Sequence, residues 1–211
     1  MTEMWLKDPD AIYRLSFERA RAATDLSRLP PDLHEVALRL VHACARPEIA
    51  VEIAASLGAV AAGLDALARG APILVDSRMT SAGITRAFLP PNVDVVCILD
   101  EASVAARAEA GATTRSSAGI EALAERLGGS IVAIGNAPTA LFRLLEVAAA
   151  DARRRPALVL GFPVGFVGAA ESKAALIASD LSFIALKGAF GGSALAAAAV
   201  NALALGARER R

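Results

Sequence analysis

Apolar positions recur every three or four residues through the first third of the chain. After Gly70 they give way to short unbroken apolar runs separated by helical stretches. The first texture predicts amphipathic helices, the second strands buried on both faces. Asp8-Pro9 supplies an N-cap acid and a first-turn proline, so a helix starts there, with Ile12, Leu15 and Ala23 marking its inner face. Ser16 falls inside that stripe, where a serine either bonds its own helix backbone or turns its hydroxyl toward a ligand. Beyond the Leu29-Pro30-Pro31 break, a second helix carries the apolar stripe Leu33, Val36, Ala37, Leu40, Val41 and Cys44. At about 100° per residue, His42 lies almost opposite that stripe, with Glu35 and Arg39 nearby. Such a face is either solvated or the wall of a cleft, and periodicity does not choose between them. Past Pro47, an Ala-rich stretch up to Gly70 continues the helical reading.

Five apolar runs follow, at residues 72–75, 93–99, 130–134, 157–160 and 182–186. The stretches between them are long enough for helical crossovers. The fold class predicted is α/β: one three-layer α/β/α domain over residues 1–211, doubly wound around a five-stranded, mainly parallel sheet. The Ala-rich run at residues 193–207 is too short to span a membrane and contains Asn201, so it reads as a buried helix. In sheets of this kind, ligands gather beyond the carboxyl ends of the strands. The segments placed there are residues 76–86, 135–141, 161–173 and 188–193, most of them rich in glycine, serine or threonine.

Composition narrows the chemistry. Lysine plus arginine and aspartate plus glutamate are equal at 22 each, no basic block occurs and aromatics are few, so nucleic acid is not an expected partner. The first ten residues lack a basic start followed by an apolar core, which makes the cytoplasm the expected location, and no membrane partner is expected. Cys44 and Cys97 sit in apolar runs as small core residues. Gly161, Gly165 and Gly168 are spaced G-x-x-x-G-x-x-G, which is not the dinucleotide fingerprint, and neither a Walker loop nor a G-x-S-x-G elbow is present. The two histidines, His34 and His42, lie roughly 80° apart around one helix and two turns along it. They cannot share one ion, and no protein-held metal is expected. What is left is one histidine able to move protons, with arginines and glycine-rich strand ends around it. Arg115, beside a helix start at Thr114, could receive carboxylates or simply be solvated. Lys173 and Glu171 read as a solvated pair at the head of a helix.

Taken together, the segments resemble the precorrin-8X methylmutase family, also called precorrin isomerases. The resemblance is carried by Ser16-Phe17, Arg39-Leu-Val-His42-Ala-Cys, Ala71-Pro-Ile-Leu-Val-Asp76, Gly83-Ile-Thr-Arg86 and Thr114-Arg-Ser116. It continues through Ala133-Ile-Gly-Asn-Ala-Pro-Thr-Ala-Leu141, Pro163-Val-Gly-Phe-Val167, Ala169-Ala-Glu-Ser-Lys173 and Gly191-Gly-Ser193. It implies a flavodoxin-like fold, a homodimer, a tetrapyrrole substrate and no organic cofactor. The implied reaction moves a methyl group from C-11 to C-12 of precorrin-8X to give hydrogenobyrinate; a cobalt-bearing substrate is the anaerobic alternative. By family position His42 is the acid/base residue, and Ser16 and Arg39 contact substrate. Thr85, Arg86, Arg115 and Lys173 complete the substrate-binding set. The non-enzymatic alternative is a corrinoid-binding protein that holds the macrocycle without turnover. Ala45 stands where a glycine usually follows His-Ala-Cys, and Thr80 replaces an aliphatic residue after Met79. Ala189-Phe190 occupies a stretch where the family often has another basic residue.

Overall fold

A computed structural model describes residues 5–210. Residues 1–4, part of the stretch read for a leader, and Arg211 lie outside the described residues. The elements run α1 (Pro9–Ala23), α2 (His34–Cys44), β1 (Ile53–Ala55), α3 (Ala59–Ala68), β2 (Ile73–Val75), α4 (Arg78–Gly83), β3 (Val95–Cys97) and α5 (Val104–Ala110). They continue with α6 (Arg115–Ala122), β4 (Ile131–Ile134), α7 (Pro138–Ala150), β5 (Leu158–Gly161), α8 (Ala169–Ala178), β6 (Phe183–Leu186) and α9 (Ser193–Glu209).

All five predicted strands form, as β2 to β6, and they pair in parallel. Their order across the sheet is β6-β5-β4-β2-β3. Counting these five in chain order gives 2-1-3-4-5 from the β3 side, the flavodoxin-like arrangement, whose switch point lies between β2 and β4. A sixth strand corrects the five-strand expectation. β1 adds to the far edge, antiparallel to β6, with Ile53 opposite Leu186. It arises inside the stretch read as helical, because three residues next to an open sheet edge gain a ladder that periodicity alone does not reveal.

Alternating side chains build two apolar layers. Ile73, Val75, Ile131, Ala133, Leu158, Leu160, Ile184 and Leu186 face one side with α2, α3 and α9. Leu74, Val132, Ile134, Val159, Phe183 and Ala185 face the other with α6, α7 and α8. Each fully buried aliphatic side chain stabilises the domain by roughly 1.5–3 kcal/mol. The buried face of α9 is mainly alanine, and the small side chains let α2, α3 and α4 all pack against it. The run at residues 193–207 is thus the buried helix its composition predicts.

α1 departs from its expected orientation. No residue of α1 is buried, and Ile12, read as an inner position, is 44 % exposed. The side turned toward the domain carries Phe17 and Ala20 and ends at Thr24, which is buried. An amphipathic stripe fixes a helix's rotation only when the core beneath it is large, and α1 rests chiefly on α2.

Candidate active site

α2 buries Val36, Ala37, Leu40 and Val41, as its stripe predicts, and thereby turns His42 outward in its last turn. Ala45 ends the helix in the left-handed region, φ 54°, with its N–H donating to the Val41 carbonyl at 2.7 Å. The turn at Pro47–Glu52 then delivers the chain to Ile53, opposite the carboxyl end of β6. The last turn of α2 therefore lies at the carboxyl edge of the sheet. Arg46 reinforces the corner, its guanidinium 4.6 Å from the ring centroid of Phe190 in the loop after β6.

α1 completes the group around His42. The Ser16 hydroxyl lies 2.9 Å from His42 Nδ1. Phe17 stacks on the imidazole, centroids 4.6 Å apart and planes at 21°. The Arg39 guanidinium sits 4.7 Å from the same Phe17 ring and donates to the Tyr13 hydroxyl. Partial burial, and then the Arg39 charge, hold the His42 pKa below 6.5. The helix C-terminus pulls the other way. Since Ser16 occupies Nδ1, Nε2 is the nitrogen left for a ligand. A serine hydroxyl can donate to bare Nδ1 or accept from Nδ1–H, so the same partner serves the neutral and the protonated ring.

A groove of about 400 Å³ opens beside this group, between Tyr13, Phe17, Arg39 and the α9 residues Ala202 and Gly206. A larger groove, about 710 Å³, follows the outer edge of β1 and contains no member of the His42 group. Its size does not make it the reactive site.

The other expected site residues fall in two places. Arg115 opens α6 at the carboxyl edge and is exposed; the Thr114 hydroxyl caps that helix and lies 2.8 Å from the Thr139 hydroxyl in the first turn of α7. Lys173 corrects the reading of a solvated pair with Glu171, because its side chain is 0 % exposed. Its Nζ donates to the Phe190 carbonyl at 2.6 Å, and burial lowers its pKa to about 8. The apolar body of α8 and the loop after β6 close over the amine, an outcome no local charge pattern foretells. Thr85 and Arg86 are exposed and lie against α9 on the α4 side: the Thr85 N–H donates to Asn201 Oδ1 at 2.8 Å, and Arg86 donates to the carbonyl of Val95 at the amino end of β3. The structure does not bring these two to His42 within the chain. Tyr13 and Phe17 are the partners that residue-by-residue reading missed; their i, i+4 spacing on α1 was the available signal.

Among the described residues, no group of three histidine, cysteine, aspartate or glutamate side chains is arranged to hold a metal ion, and no helix is long and apolar enough to cross a membrane. A doubly wound α/β domain with a serine-held histidine beside arginine at the carboxyl edge of its sheet has the parts an enzyme needs to move a proton. Comparison with known proteins makes the assignment particular. The chain belongs to the precorrin-8X methylmutase family, whose model matches residues 11–205. It is an isomerase that moves a methyl group. A precorrin-8X methylmutase of Pseudomonas aeruginosa is 51% identical over 95% of this chain and 97% of its own. A cobalt-precorrin-8 methylmutase of Methanothermobacter thermautotrophicus is 39% identical over 88% of this chain and 86% of its own. The solved precorrin-8X methylmutase of Thermus thermophilus superposes with a TM-score of 0.85 at 38% identity, covering 95% of this chain and 98% of that one.

Proposed function

We propose that the chain moves a methyl group from C-11 to C-12 of precorrin-8X, giving hydrogenobyrinate, with His42 as the proton donor and acceptor. The observation that carries this reading is the Ser16–His42 pair, which leaves Nε2 of the imidazole free, with Arg39 on the same Phe17 ring. A 1,5-sigmatropic methyl shift breaks one carbon–carbon bond as it forms another and needs neither nucleophile nor redox partner. It needs the reactive tautomer of the conjugated ring, which a group that both gives and takes a proton can favour. With the Ser16 hydroxyl accepting from Nδ1–H, Nε2 takes a proton in the neutral ring and gives it back from the protonated one, the Ser16 contact unchanged. The carboxylate arms of the macrocycle fit guanidinium receivers, with Arg39 beside the histidine and Arg115 farther along the same edge. Lys173 contributes by holding the Phe190 loop, and Arg86 and Thr85 by contacts outside the His42 group.

Two relatives named for the metal-free substrate are 51% and 46% identical, whereas the cobalt-named methylmutase of M. thermautotrophicus is 39% identical; this favours precorrin-8X without cobalt. A homodimer fits the exposed apolar side chains Met79, Phe166 and Val167, which ring the carboxyl edge and would be covered by a second copy. The deciding experiment supplies precorrin-8X in large excess and follows the absorption spectrum. Many turnovers per chain are expected. Conversion stopping at one equivalent would leave a corrinoid-binding protein, and turnover confined to cobalt-precorrin-8 would reassign the substrate.

A further inference from the structure

The switch point between β2 and β4 is where doubly wound sheets ordinarily receive a ligand's anionic group. Here the chain fills it with its own carboxylate. Asp76, the first residue beyond β2, is 0 % exposed. Its Oδ1 accepts from the Gly135 N–H at 2.8 Å, and its Oδ2 accepts from the Asn136 and Ala137 N–H groups at 2.8 and 2.7 Å. Burial pushes the Asp76 pKa up, and these three amides pull it down without cancelling the rise. Among the described residues no arginine, lysine or histidine pairs with it, so the amides and the N-terminus of α7 are what favours its carboxylate form. α7 has no side-chain cap of its own.

The turn held this way is the joint of three elements. A Cβ on Gly135 would come within 2.7 Å of Ser193 Cα and 2.8 Å of Thr80 Oγ1, so the turn lies directly against the first residue of α9 and against α4. The Ser77 hydroxyl, next to Asp76, lies 2.9 Å from that of Thr80 and 3.0 Å from that of Ser193. Thr139, one residue into α7, meets the cap of the helix that carries Arg115. Asn136 has its backbone drawn inward by Asp76 while the residue itself is exposed at the carboxyl edge.

We infer that Asp76 is a positioning residue for the reaction: its carboxylate fixes the turn at residues 135–137 so that Asn136 is presented, pre-set, as a polar contact for the substrate. This rests on the methylmutase reading above. Only a group with two acceptor oxygens satisfies the turn, since an asparagine would place an NH₂ against at least one amide N–H. The turn then costs no ordering when the macrocycle arrives.

The test compares Asp76→Asn, Asn136→Ala and the double variant with the wild type, all assayed well below their melting temperatures. Asp76→Asn is expected to raise KM for precorrin-8X at least tenfold while kcat falls less than threefold. Asn136→Ala is expected to raise KM as well, and the double variant to be no worse than Asp76→Asn alone. A lowered Tm with wild-type KM in Asp76→Asn would make Asp76 a stability residue only, and multiplying KM effects would separate it from Asn136; either overturns the inference. If the wild type itself does not turn over, the methylmutase reading fails instead. Amide hydrogen exchange then decides for Asp76: faster exchange at residues 135–137 in Asp76→Asn supports the anchored turn, and unchanged exchange overturns it.

Discussion

Two polar centres stand at the carboxyl edge of one sheet and are built on opposite terms. His42 is exposed, meets one hydroxyl, and is covered by a ring from α1, a helix with no buried residue. Asp76 is fully buried and receives three consecutive backbone amides. Hydrogen bonds to a charged group contribute about 1.5–3 kcal/mol each, so the second centre resists displacement far more than the first. The difference follows from what each has to do. A group that gives and takes a proton changes charge during the reaction, and an exposed ring with one hydroxyl partner tolerates both states. A turn that receives a large rigid substrate gains from not changing at all.

The most severe way to break this comparison is His42→Ala. Removing a positioned general acid–base group costs about 10²- to 10⁴-fold in rate. Because the side chain is exposed, Tm should stay near the wild-type value and the tetrapyrrole should still bind, as measured by its absorption change. Turnover at the wild-type rate would take His42 out of the mechanism. Ser16→Ala probes the same centre more gently. It removes one hydrogen bond of about 1 kcal/mol, so kcat should drop by about five- to tenfold with little change in Tm. A loss as large as that of His42→Ala would show that the hydroxyl itself carries a proton.

A smaller effect tests the electrostatics. Burial lowers the His42 pKa first and Arg39 adds to it, so the sign for Arg39→Gln is upward. NMR titration of the free protein reads this directly, since only His34 and His42 contribute imidazole signals. Wild-type His42 should titrate below 6.5. The form able to take a proton is therefore retained at pH 7 and lost as pH falls through that lowered value, and in Arg39→Gln the loss should begin at higher pH. An unchanged titration would mean that solvent screens Arg39 completely.

What the sequence made legible divides along the same line. The five parallel strands and the α2 stripe could be read because each is a local pattern imposed by a large core. His42 could be placed opposite that stripe, but its environment could not, since the covering helix α1 is set by contacts with α2 rather than by its own periodicity. β1 was hidden because Ile53-Ala-Ala becomes a strand only beside β6, some 130 residues later in the chain. Lys173 misled for a related reason: next to Glu171 it has the look of a surface pair, and only the returning loop with Phe190 buries it. Asp76 carries no local signal either, because its partners are amides about 60 residues away.

The gentlest probe lies at the helix end beneath His42. Ala45 holds a left-handed conformation, φ 54° and ψ 35°, which costs an ordinary residue about 1–2 kcal/mol and costs glycine almost nothing. Glycine also loses more freedom on folding, by roughly 0.5–1 kcal/mol, so Ala45→Gly should recover only part of the strain. For a chain of this length, a gain of about 1 kcal/mol or less corresponds to a Tm rise of about 2–4 °C at most. If the histidine centre is loosely held, kcat should not change with it. A fall in kcat accompanying the higher Tm would show that the strained helix end sets the height of the imidazole at the cleft, and that His42 is held more firmly than its single hydrogen bond indicates.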